Sequence, residues 1–132
     1  MSISPQRIYV IESEESIAKL DTLTRCRYGA KTVLLIAYDE AEAWKNPLQE
    51  GIQSGVEDAS IVTTHIMLEA CNLGIDSCWV NYFPNIKLED AFNLPKTERS
   101  VLLLPLGYRE DDVTPLPGHT KKKELNQTIK RI

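Results

Sequence analysis

The sequence is poor in the residues that carry most recognisable chemistry. It has two histidines, three cysteines, two tryptophans and two phenylalanines in 132 residues. Cys26, Cys71 and Cys78 leave one thiol over in any internal pairing, and no two stand at metal-ligand spacing. A disulfide scaffold and a zinc site are therefore excluded, and the three are expected to be reduced, small buried hydrophobes in a reducing cytoplasm. His65 has no His, Cys or carboxylate partner in a ligand pattern beyond the lone Glu69, so a buried or interfacial role is expected. His119, beside Gly118, reads as a loop residue. No GxGxxG, phosphate-binding GxxxxGK or GxSxG sequence is present, which removes the usual dinucleotide, NTP and serine-hydrolase routes.

Long hydrophobic runs are also missing. The longest, Val101–Leu106, is broken by Pro105 and is far short of a bilayer span. Residues 1–12 lack the basic start and apolar stretch of a secretory signal. Positive charge is not in excess: the net charge of −4 argues against a general nucleic-acid binder, which needs a basic surface to displace counterions. What remains is an ordinary globular composition, 42% hydrophobic and 26% charged, expected to form one domain over residues 1–132.

Periodicity predicts the elements. Arg7–Ile11 is β-branched and aromatic and predicts a strand. Ser13 can cap a helix over 14–23, with Ile17, Leu20 and Leu23 at helical spacing. Thr32–Tyr38 (TVLLIAY) is apolar on both faces and predicts an interior strand. Residues 39–53 are polar and irregular. A long helix over 56–73 stops at Gly74, and its apolar residues cover most of the circumference, as in a helix buried by its own domain and by a partner. Residues 77–83 (SCWVNYF) predict a strand ended by Pro84. Asn85 can cap a short helix over 86–92, and residues 99–108 predict a further strand with Pro105 at an edge or bulge. Residues 111–132 form a proline-rich, then basic tail, either mobile or laid across another subunit. The order alone does not separate a parallel α/β sheet from α+β.

The segment DASIVTTHIMLEACNLGIDSCWVNYF, Asp58 to Phe83, resembles the middle of the nitroreductase family: a buried aliphatic helix ending in Leu-Gly, then a short strand beside a flavin. Three further pieces fall in order around it. Pro5–Ile11 resembles the first strand, Leu94-Pro95 with Leu104–Tyr108 the "LP…lplGYp" ending, and Pro117–Leu125 the closing basic segment. The resemblance implies an α+β fold, a nitroreductase-like mixed β-sheet flanked by helices, in a homodimer with the long helix at its interface.

It also implies a function. The family are FMN-dependent oxidoreductases that take electrons from NAD(P)H and reduce nitroaromatics, quinones or similar electron-poor small molecules. By resemblance, Trp79, Val80, Asn81 and Tyr82 lie along the flavin, with backbone N–H groups at Asn81 and Tyr82 turned toward its N5 and O4. Asn81 replaces a frequent Glu, and Tyr82 a frequent Gly. Lys121 and Lys123 match the cations that reach the FMN phosphate, while Lys122 faces water. On the residues alone, Trp79 and Val80 read as core positions, and the lysine run as a solvated tail. Family members open with a further Arg-rich segment that grips FMN, which residues 1–12 do not supply. The expectation is a chain truncated at its N-terminus with lowered FMN affinity. The alternative is a dimeric, non-enzymatic remnant that binds no flavin.

Overall fold

A computed structural model describes residues 4–132. Its centre is a four-stranded sheet in the order β1-β2-β4-β3, from β1 (Gln6–Ile11), β2 (Thr32–Asp39), β3 (Asp76–Ser77) and β4 (Glu98–Gly107). Every pairing is antiparallel. The class is thus α+β, and where a mixed sheet was implied, the strand pairs among the described residues are all antiparallel. Helix α1 (Glu14–Asp21) connects β1 to β2, α2 (Gly55–Asn72) connects β2 to β3, and α3 (Asn85–Ala91) connects β3 to β4.

Alternation along β2 and β4 makes two cores. Val33, Leu35, Ala37 and Leu103 face α1 and α3, where they meet Leu20, Leu88 and Leu94. Ile36, Leu102 and Leu104 face α2 and pack on Ala59, Ile66 and Met67. β2 is apolar on both sides because it lies between β1 and β4 with a helix layer on each face, as its sequence suggested.

Local chemistry sets the helix ends. The Ser13 hydroxyl accepts the Ser16 N–H at 3.2 Å and caps α1. This helix stops at Asp21, short of the expected Leu23, because Thr22 and Leu23 bond back to Lys19 and Leu20 in a tighter turn. Past the end of α2, Gly74 takes φ 75°, the left-handed conformation that closes a helix. Asn85 does not cap α3. Pro84 holds that place, and the Asn85 side chain donates to the carbonyl and hydroxyl oxygens of Ser100 at 2.9 and 3.1 Å. The Glu89 carboxylate accepts from Ser100 N and Oγ, both at 2.8 Å, so two side chains of α3 fasten it to β4.

Three further expectations are corrected. The strand over 77–83 shrinks to Asp76–Ser77 and a single bridge from Val80 to Leu103. Pro105 explains this: it accepts the Cys78 N–H at 3.3 Å, but has no N–H to return. Pro105 lies inside β4, at neither an edge strand nor the bulge, which falls between Ile36 and Ala37. Its missing donor nevertheless faces the edge where the ladder breaks. Finally, Cys71, Cys78 and His65 are exposed in the single chain, and Cys26 is half-buried. The α2 face bearing Cys71 and His65 is uncovered by any of the described residues.

Candidate functional site

The broken edge after β3 is the most distinctive piece of main chain. Val80 exchanges both hydrogen bonds with Leu103, N–H to carbonyl each way at 2.9 Å. In an antiparallel ladder, the residues on either side of such a pair direct their amides away from the partner strand. The N–H groups of Trp79 and Asn81 therefore face outward, and those of Trp79, Asn81 and Tyr82 have no hydrogen-bond partner among the described residues. An exposed row of unpaired donors at a sheet edge is ready to bind acceptors.

Side chains hold this edge in place. Val80 is buried in the core beneath α1 and α3. The Trp79 indole N–H donates to Asn81 Oδ1 at 2.6 Å, and Asn81 Nδ2 donates to the Val101 carbonyl at 2.9 Å. Asn81 is thus pinned back onto β4, leaving its main-chain amide outside. From the loop between α1 and β2, Thr24 Oγ1 donates to the Tyr82 carbonyl at 2.6 Å, and the Arg25 guanidinium lies 5.8 Å from the Tyr82 ring centre. At the other end, Arg109 forks onto Asp76 with Nε and Nη2 at 3.0 Å, fixing where the chain leaves β4. Thr24, Arg25 and Arg109 were not recognised in the sequence, because their partners stand far away along the chain and no local pattern marks them.

The structure brings Trp79, Val80, Asn81 and Tyr82 together on one edge. It does not join Lys121 or Lys123 to them. Residues 111–132 are exposed throughout, with one 3₁₀ turn at Pro117–Thr120 and a short helix α4 (Leu125–Thr128). Among the described residues, no hydrogen bond or ion pair links this tail to the domain. Both lysines lack an ion-pair partner there, which leaves their charge available to an anion.

The outer face of α2 is apolar and open. Ile61 and Leu68 are 58% and 65% exposed. Beside them a cleft of about 320 Å³ runs between Thr64, Met67, Leu68 and Cys71 of α2 and Ile75–Ser77. A larger open cleft, about 510 Å³, lies within the loop Glu40–Gln53 and does not touch the 79–82 edge. No helix among the described residues is long and apolar enough to cross a membrane, and none of their His, Cys, Asp and Glu side chains cluster as a metal site.

Comparison with known proteins agrees with this architecture. The model of the nitroreductase family matches residues 27–108. A nitroreductase family protein of Clostridium difficile 630 is 33% identical, with a TM-score of 0.85; the match covers 96% of this chain and 73% of that one. A nitroreductase-type protein of Exiguobacterium sibiricum 255-15, solved in complex with FMN, has 19% identity and a TM-score of 0.77 over 97% and 77% of the two chains. An enone reductase of gut-bacterial fatty acid saturation has 18% identity and a TM-score of 0.79 over 98% and 78%. No curated protein matches the sequence. The four-stranded antiparallel sheet and its helices define an α+β protein of the nitroreductase-like fold. The chain belongs to the nitroreductase family.

Proposed function

We propose that this protein is an FMN-dependent oxidoreductase that takes electrons from NAD(P)H and passes them to an electron-poor small molecule such as a nitroaromatic or a quinone. The observation that carries the reading is the set of unpaired main-chain donors at Trp79, Asn81 and Tyr82 on a braced sheet edge. The edge of a flavin ring is rich in nitrogen and oxygen acceptors, so the donor set fits it.

FMN, when bound, supplies the hydride chemistry between the nicotinamide donor and the acceptor. The chain supplies position. Amides fixed by the Val80–Leu103 pair and the Asn81–Val101 bond offer hydrogen bonds at no cost of reorganisation. Tyr82, 68% exposed, stands where its ring can limit access to the flavin edge. Lys121 and Lys123 supply two positive charges for a phosphate of about two negative charges.

The reading includes a homodimer. The exposed Ile61 and Leu68, the cleft beside them and the outward Cys71 and His65 form a face suited to a second copy. The exposed tail, carrying apolar Leu116, Leu125 and Ile129, would lie across the partner and bring its lysines to a flavin. Three free thiols suit a reducing cytoplasm. The direct test is anaerobic titration of the FMN-loaded protein with NADH or NADPH: bleaching of flavin absorbance, restored by an added quinone, supports the proposal. A flavin that neither nucleotide reduces contradicts it.

A further inference from the structure

Two of the three cysteines converge on one side of the sheet. Asp76 faces Gly107, Ser77 faces Leu106 and Val80 faces Leu103, an unbroken register that sets Cys78 opposite Pro105. Side chains two residues apart share a face. Cys78 therefore lies on the Val80 side of the sheet, exposed at its edge, in the row that also holds Val33. Cys26 packs against that same cluster from the loop leading into β2. The two segments are already tied: Thr24 Oγ1 accepts the Cys26 N–H at 3.1 Å and donates to the Tyr82 carbonyl at 2.6 Å. Partial burial of its thiol and the nearby Cys26 sulfur both raise the pKa of Cys78. Cys71 sits apart, on α2 across the sheet.

We propose that Cys26 and Cys78 are a reversible dithiol–disulfide pair, oxidised by a low-molecular-weight disulfide, that staples the loop over residues 22–31 to the 78–82 edge. The Cys26 thiolate attacks one sulfur of the small disulfide; that S–S bond breaks and the first thiolate leaves. The Cys78 thiolate then attacks the Cys26 sulfur of the mixed disulfide, forming the protein S–S bond and displacing the second thiolate. The protein loses two electrons and two thiol protons, and the oxidant leaves as two thiols. Because partial burial raises the Cys78 pKa, its attack on the mixed disulfide accelerates as pH rises. The bond requires Cα atoms within about 7 Å. One hydrogen bond, from the Cys78 N–H to the Pro105 carbonyl at 3.3 Å, ties this residue to β4, and one, from the Cys26 N–H to Thr24 Oγ1 at 3.1 Å, ties the other thiol's backbone.

The test uses the whole chain and glutathione disulfide. After incubation, free thiols are blocked under denaturing conditions and the unreduced digest is analysed by mass spectrometry. Free thiols should fall from three to one, with a peptide joining Cys26 to Cys78, and dithiothreitol should restore all three. Cys26→Ser should abolish the cross-link and leave Cys78 as its glutathione adduct. Three thiols still free in excess oxidant would overturn the proposal. So would separate, stable glutathione adducts on Cys26 and Cys78 in the unmutated protein, or a cross-link through Cys71.

Discussion

Gly55 lies against the ring of Tyr38 so closely that a Cβ on the glycine would overlap the ring carbons. Gln53 locks the pair: its Nε2 donates to the Tyr38 hydroxyl at 2.7 Å and its Oε1 accepts the Gly55 N–H at 3.1 Å. The first turn of α2 is thus seated on β2 at a contact that has no room for a methyl group. Gly55→Ala should destabilise the protein by about 1–3 kcal/mol, the usual range for overpacking. Urea unfolding checks this. In a Tyr38→Leu background the same change should cost less, since the ring it strikes is gone. Equal stability of Gly55→Ala and the parent would refute the contact.

A second relationship sets an alkaline limit. The Tyr9 hydroxyl donates to the buried Glu98 carboxylate, which also faces Arg7 Nε at 3.5 Å. Burial and this hydrogen bond push the Tyr9 pKa from 10.0 up to about 12. A raised folded-state pKa means that the folded protein keeps a proton which the unfolded chain loses. The stabilisation is complete below about pH 10 and disappears as pH rises through about 12. Denaturant midpoints across that window should fall more steeply for the parent than for Tyr9→Phe. Parallel slopes would contradict this assignment.

Leu68 reports on assembly. It is 65% exposed on α2, beside the cleft formed with Ile75–Ser77, and a dimer through this face should bury well over ~2,000 Å². Leu68→Glu places a charge at its centre, and burying an unpaired charge is costly. The parent should sediment as a dimer at micromolar concentration and the variant as a monomer, with unchanged circular dichroism. A parent that is monomeric at that concentration would remove the dimer from the account.

Much of the fold was legible because hydrophobic periodicity is a local property. Thr32–Tyr38 reads as an interior strand from its own residues, and Ser13 and Gly74 mark helix ends by chemistry that acts within one turn. What was not legible depends on distant partners. Asn85 looks like a helix cap until Ser100, on β4, claims its amide. The run at 77–83 has the composition of a strand, but Pro105, far along the chain, withholds the return bond that would extend it. Cys71 and Cys78 look like buried hydrophobes in sequence, and are exposed because no element among the described residues covers them. At the candidate site, the family resemblance singled out Trp79–Tyr82, which the fold then gathers on one edge. The braces from Thr24 and Arg25 arise from tertiary proximity alone.

The central claim, that the 79–82 edge and the tail lysines hold FMN, is tested most directly by titrating the protein into FMN and following flavin fluorescence. The account predicts saturable quenching. Lys121→Ala with Lys123→Ala should weaken binding, since two charge-assisted hydrogen bonds at about 1.5–3 kcal/mol each correspond to roughly two to four orders of magnitude. Lys122→Ala should leave binding unchanged. An absence of saturable quenching at any accessible protein concentration would contradict the claim, and unchanged affinity in the double variant would remove the tail from the phosphate site.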